Sequence, residues 1–358
     1  MPDRLTGWPS VLVTTDAVGG VWRYALTLAA GFAARGIGTV LAVMGPPPDG
    51  SQREECRKVA GLRLVVTGLP LDWTAKDPAA LTHATDRLAA LAALTGVSSV
   101  HLHAPALVGK VPWPVPVVAV AHSCVATWWE AVRGGPMPAD FEWRTAMARD
   151  GLDAAAAVVA PSAAHAAALR RVYGTVGVHV VHNGAAPALC MGIRRRAVLT
   201  AGRLWDEGKN VAALDRAAAS LDAPVLAAGP TRGPNGAAAA FGHLRLLGAL
   251  DAAALADQYA AAGVFASLAR YEPFGLAVLE AAQAGCALVL SDIPTFRELW
   301  DGAALFVTLE DDPVPTLRRA LDDYGELGAR VRTRAGRYGA AAMVDGTLAV
   351  HPRLAVLA

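Results

Sequence analysis

Two carboxylates eight residues apart, Glu272 and Glu280, frame the segment Glu272-Pro273-Phe274-Gly275-Leu276-Ala277-Val278-Leu279-Glu280. A proline suits the entry to a helix, and a glycine lets a ligand approach the backbone. The amides of Phe274, Gly275 and Leu276 are therefore placed to receive a phosphate or sugar oxygen. Glu272 then falls in the loop facing the ligand, and Glu280 in about the second turn of the helix. A carboxylate accepts two hydrogen bonds at once, which suits a vicinal diol. Taken singly, Glu272 also reads as a partner of the helix dipole and Glu280 as a solvated side chain; the Pro-Phe-Gly entry between them favours the ligand.

A second group is Gly202-Arg203-Leu204-Trp205-Asp206-Glu207-Gly208-Lys209-Asn210, directly after a predicted strand. A pyrophosphate needs dispersed positive charge. The fork of Arg203 and the point charge of Lys209 near a helix N-terminus provide it, although a surface loop of salt bridges has the same composition. Gly229, before Pro230, marks a strand end that would face the same diphosphate ligand, with Arg232 just beyond it.

Gly19-Gly20 separates a strand from a helix, which fits a phosphate-approaching loop or an ordinary tight turn. No G-x-G-x-x-G follows that strand, which argues against a nicotinamide or flavin enzyme. His122 stands at the carboxyl end of another strand, as a ligand contact or a hydrogen-bonded structural histidine. His101 and His103 are separated by one leucine with no third ligand at suitable spacing, so no metal site is expected. Trp128 and Trp129 offer indole faces to a sugar or an aromatic acceptor, or simply pack in the core. Ser162, after Pro161, reads as a helix cap.

The elements that position these residues alternate in βα fashion: short apolar runs followed by alanine-rich stretches of helical period. Strands are predicted over 11–15, 39–44, 62–66, 100–103, 117–121, 157–160 and 178–181, with a helix over 21–35. The pattern lapses around Asn183-Gly184, Pro187 and the basic run Arg194-Arg195-Arg196, read as an exposed linker. It restarts with strands over 197–201, 224–228, 244–247, 264–267, 287–290 and 304–307. The α/β chain thus divides into Rossmann-like domains over 1–186 and 187–338, with 339–358 packing back on the first. Open parallel sheets bind ligands beyond the carboxyl ends of their strands, and two facing halves would make a cleft there.

Composition bounds the reading. The 358 residues exceed one ordinary core, and 54% are apolar against 18% charged. With 32 basic and 31 acidic side chains, no global field points to nucleic acid or an anionic membrane. Cys56, Cys124, Cys190 and Cys286 show no CxxC spacing, as expected of reduced cytoplasmic thiols. Asp3, Arg4 and Asp16 leave no secretory apolar stretch at the amino terminus. Pro112, Pro114 and Pro116 break the uncharged run from Val111 to Trp129, so no transmembrane segment is expected.

Ser267 to Glu298, with Glu-Pro-Phe-Gly-Leu, Glu-Ala-Ala-Gln-Ala-Gly and Ser-Asp-Ile-Pro-Thr-Phe-Arg-Glu, resembles the nucleotide-sugar site of glycosyltransferase family 4, whose carboxylate spacing is E-x7-E. Gly-Arg-Leu, Lys-Asn, the loop Asp16 to Tyr24 and a histidine at the place of His122 are similar too. The resemblance implies a GT-B fold and retaining transfer from a nucleoside-diphosphate sugar to a hydroxyl acceptor. It implies that Arg203 and Lys209 bind the diphosphate, Glu272 the donor sugar and Glu280 the ribose. The glycine loop would approach the donor, and His122 would lie near its sugar. No metal cofactor is implied, and UDP, GDP and ADP donors stay open, as do the acceptor and the oligomeric state. A GT-B sugar-nucleotide epimerase and a non-catalytic sugar-nucleotide-binding protein are the alternatives.

Overall fold

A computed structural model describes residues 9–174, 177–186 and 193–354; Asp3, Arg4, Pro187 and Cys190 lie outside the described residues. The chain forms two compact units, one of Met1–Gly184 with Ala340–Ala358 and the other of Ala185–Gly339.

In the first unit, seven strands form one sheet: β1 (Ser10–Asp16), β2 (Gly38–Met44), β3 (Leu62–Val66), β4 (Ser99–Leu102), β5 (Val117–Val120), β6 (Ala157–Ala160) and β7 (Val178–Val180). Their order is β3-β2-β1-β4-β5-β6-β7, and every pairing is parallel. Every residue of β2 is buried, as a strand covered by helices on both faces must be, and so the apolar runs are continuous instead of alternating. Polar side chains start the helices. Asp49 and Gln52 form a reciprocal capping box, Asp77 accepts the amide of Ala80 at 2.7 Å, and Ser162 caps its helix by accepting the amide of His165 at 3.1 Å.

The helix Ala340–Val350 belongs to this unit. Its Val344 fills the space that a side chain at Gly31 would need, and its Asp345 pairs with Arg35. Just beyond it, before Pro352, the buried His351 reaches side chains of β4. Ser99 Oγ lies 2.8 Å from His351 Nδ1, His351 Nε2 3.1 Å from His101 Nδ1, and His101 Nε2 3.3 Å from the hydroxyl of Tyr24.

The second unit has six parallel strands: β8 (Arg195–Ala201), β9 (Val225–Ala228), β10 (Arg245–Gly248), β11 (Ala262–Ser267), β12 (Ala287–Ser291) and β13 (Leu305–Val307), in the order β10-β9-β8-β11-β12-β13. The basic run before it is not wholly an exposed linker. Arg194 donates to the carbonyls of Ala262, at 2.6 Å, and of Ala284, and β8 begins at Arg195, two residues earlier than the apolar pattern indicates. Charge alone does not reveal that a guanidinium will satisfy buried carbonyls.

Each sheet reverses its direction of winding once, between β1 and β4 and between β8 and β11. Ligands of open α/β sheets sit at the carboxyl ends of the strands at such a point. The loops leaving β1, β8 and β11 contain Gly19, Arg203 and Glu272, and the residue after β4 is His103.

Candidate functional site

In the second unit, Arg203, Lys209 and Glu272 line one recess together with Gly202, Thr200 and Ser267. Hydrogen bonds between the loop after β8 and the loop after β11 bring them there. The carbonyl of Gly208 accepts the amides of Arg270, at 2.8 Å, and Tyr271, at 3.3 Å, and the side-chain amide of Asn210 donates to the carbonyl of Leu268 at 2.9 Å. Asn210 adopts φ 51, a left-handed conformation that asparagine tolerates better than most residues. The clasp presses Lys209 against Glu272, and the two form an ion pair with side chains 22% and 14% exposed. Arg203 pairs with Asp206 at 2.9 Å, and Asp206 also accepts the amide of Gly208 at 2.9 Å. The clasp made by Gly208 and Asn210 was not apparent from the sequence, although both stand inside the segment Gly202 to Asn210.

Gly275 has φ 92 and begins the helix Leu276–Ala284. The left-handed residue turns the chain so that the first amides of the helix face the loop end. Glu280 lies on that helix and is not among the residues lining the recess. The side chain of Phe274 is buried, edge-on to Tyr338 at 5.9 Å, so only its backbone is available to a ligand. Gly229 serves packing: a Cβ there would overlap the carbonyl oxygen of Gly202, so the ends of β8 and β9 can meet only with glycine at that position.

In the first unit, the loop after β1 is folded by Asp16, whose carboxylate accepts the amides of Val18, at 2.7 Å, and Gly19, at 3.1 Å. Gly19 has extended backbone, φ −158, and no atom within 4 Å of where its Cβ would be. Neither conformation nor packing therefore demands glycine, and Gly20 begins the next helix. At the neighbouring strand ends, His122 packs edge-on to Tyr24 at 4.5 Å and to His103 at 4.9 Å. Its Nε2 and both ring nitrogens of His103 are buried without a hydrogen-bond partner in the protein. Burial, with a smaller contribution from His165, lowers His122 to about 3, and His103 is held well below the ordinary histidine value. Both imidazoles are neutral at pH 7, so His122 can hydrogen-bond a hydroxyl but brings no charge to a phosphate. Trp128 and Trp129 lie on the helix Val125–Val132; Trp129 stacks toward Phe141 at 5.8 Å, partly as core. No group of His, Cys, Asp and Glu among the described residues is arranged to hold a metal ion.

Two doubly wound units, each with its candidate residues at the strand ends where the winding reverses, define the GT-B class of glycosyltransferases. Two family models match: Glycosyltransferase Family 4 over residues 18–189 and Glycosyl transferases group 1 over residues 195–323. The chain belongs to glycosyltransferase family 4 and is a glycosyltransferase. No curated protein matches it by sequence. Among solved structures, sucrose-phosphate synthase from Thermosynechococcus elongatus is similar at 19% identity and TM-score 0.78, covering 98% of this chain and 100% of that one. WaaG, a glycosyltransferase involved in lipopolysaccharide biosynthesis, is similar at 14% identity and TM-score 0.70, covering 96% and 99%. Anabaena HepE in complex with UDP-glucose also has 14% identity and TM-score 0.70, covering 94% and 97%. At these identities the likeness is one of fold.

Proposed function

We propose that this chain is a retaining glycosyltransferase that moves a sugar from a nucleoside-diphosphate sugar to a hydroxyl acceptor. The observation that carries the reading is the convergence of Arg203, Lys209 and Glu272 on one recess at the end of β8. A diphosphate leaving group gains negative charge as its bond to the anomeric carbon breaks, and fixed cations stabilise that charge. In this reading Lys209 exchanges its partner Glu272 for a phosphate oxygen when the donor enters. Glu272, released, accepts hydroxyls of the donor sugar. The bond from the anomeric carbon to the phosphate oxygen breaks, the acceptor oxygen attacks from the same face, and the acceptor's proton passes to a departing phosphate oxygen. Glu280 would take the ribose hydroxyls, and the neutral His122 a hydroxyl of the donor sugar. UDP-glucose, the ligand named for HepE, is the first donor to try, with GDP and ADP sugars after it.

The test is product stereochemistry. Incubated with a sugar nucleotide that it accepts and a panel of hydroxyl acceptors, the enzyme should give a glycoside whose anomeric proton coupling matches the donor's configuration. An inverted product contradicts the retaining course, and an intact sugar nucleotide with changed sugar configuration contradicts transfer itself.

A further inference from the structure

Trp205 follows Arg203 by two positions and does not itself line the recess that Arg203 shares with Lys209 and Glu272. Its half-buried ring touches two parts of the second unit. The guanidinium carbon of Arg203 lies 5.6 Å from the ring centre, within reach of a cation–π contact. The second neighbour is Gly233, where a Cβ would stand 2.7 Å from Cδ2 and 2.8 Å from Cε2 of the indole, so the ring rests against bare backbone. Gly233 belongs to a hairpin in the loop between β9 and β10, and that hairpin closes on itself. The amide of Gly233 donates to the carbonyl of Ala237 at 2.8 Å, the amide of Ala239 donates to the carbonyl of Thr231 at 2.9 Å, and Arg232 pairs antiparallel with Ala238. The amide of Leu204 donates to the carbonyl of Pro230 at 3.1 Å, which ties the base of the hairpin to the turn that carries Arg203 and Trp205.

We propose that Trp205 is a positioning residue: seated on the hairpin at Gly233, it holds the guanidinium of Arg203 ready for the leaving diphosphate. The inference rests on the transferase reading, in which Arg203 meets that diphosphate. A long arginine side chain gives up rotamer freedom when it binds an anion, and one that is already ordered gives up less. Asp206 orders the guanidinium too, but its carboxylate competes with phosphate for the same N–H groups. The contact with the indole draws on the charge of the guanidinium and leaves its N–H fork to the phosphate oxygens. Glycine at 233 is part of the device. Its φ is not left-handed, so the indole and not the backbone conformation demands it. Asn235 Oδ1 also lies 2.6 Å from the position of a Cβ, on an exposed side chain that is able to rotate away.

Titration calorimetry with UDP, GDP and ADP tests this on the wild type, Trp205→Leu, Trp205→Phe, Gly233→Ala and Arg203→Ala, and on Trp205→Leu and Gly233→Ala each combined with Arg203→Ala, with melting curves as the check of folding. For a nucleotide that binds the wild type, Arg203→Ala should weaken binding about tenfold or more, the loss expected of one charge-assisted hydrogen bond. Trp205→Leu and Gly233→Ala should each weaken it about three- to tenfold, and Trp205→Phe, which keeps an aromatic face, by less than about threefold. In the Arg203→Ala background both changes should alter affinity by less than about twofold, since a residue that acts through Arg203 has nothing left to act on. The same loss with and without Arg203, or undiminished affinity in both Trp205→Leu and Gly233→Ala, overturns the positioning role. If Trp205→Leu does not fold, Gly233→Ala with and without Arg203 decides by the same rule. No binding of any of the three nucleotides to folded wild type, or full affinity in Arg203→Ala, would instead overturn the donor-site reading, and the positioning role with it.

Discussion

At the scale of single residues, the ion pair of Lys209 with Glu272 makes the sharpest prediction. Replacing Lys209 by alanine leaves a largely buried carboxylate without its partner and removes a cation from the diphosphate. Nucleoside-diphosphate affinity measured by calorimetry should fall about 10–100-fold, the value of one charge-assisted hydrogen bond. Unchanged affinity would remove Lys209 from the donor site. Asp72 predicts an effect of opposite kind. Its folded value near 6 lies above the ordinary carboxylate value, so the ionised group destabilises the fold, beginning above pH 4 and fully above pH 6. Asp72→Asn should raise stability at pH 8 by on the order of 1–2 kcal/mol after allowing for partial exposure, with little change at pH 4. Urea unfolding at the two pH values checks this. Arg203, Lys209 and Glu272 could be read from the sequence because each stands in a compact motif. The burial of Asp72 near Arg144 could not, since only the fold brings together two isolated residues with unremarkable neighbours.

At the scale of elements, two glycines that look alike in sequence should behave differently. At Gly229 any side chain meets the carbonyl of Gly202, and φ is 139. Gly229→Ala should cost about 2–4 kcal/mol through backbone strain and overlap at the ends of β8 and β9. At Gly19 there is open space and extended backbone. Gly19→Ala should melt within about 2 °C of the wild type, the shift expected for a change under about 0.5 kcal/mol in a chain of this size. Lost activity with an unchanged melting point would then report ligand approach at the glycine loop, whereas an unstable variant would contradict this packing account. The strands themselves were legible: Ala157–Ala160 falls where its apolar run places it, because a doubly covered parallel strand leaves no polar face to obscure its ends, and the edge strand Leu62–Val66, half-buried and partly exposed, falls where its run of Leu and Val places it. Arg194 was misread as exposed because the carbonyls it satisfies come from Ala262 and Ala284, far along the chain.

For the whole molecule, the buried histidines set the response to acid. His351 is lowered to about 4, chiefly by burial, and His101 and His103 are held well below the ordinary value. A base depressed in the fold contributes stability that is present above its unfolded value and lost as pH falls through the folded one, so the melting temperature should decline from about pH 6.5 toward pH 4. His351→Ala would strip partners from Ser99 and His101 and leave a cavity, costing about 2–4 kcal/mol at pH 7. A variant as stable as the wild type would contradict a structural role for the segment after Val350. The central claim is that Arg203, Lys209 and Glu272 form the seat of a nucleoside-diphosphate sugar, and the most direct measurement is the melting temperature of wild type and Lys209→Ala across UDP, GDP, ADP and their glucose conjugates, since a ligand that binds only the folded state raises it by mass action. A rise in the wild type with one base, absent or much reduced in the variant, is the predicted result; no rise with any of them in folded wild-type protein, or an equal rise in both proteins, would contradict it.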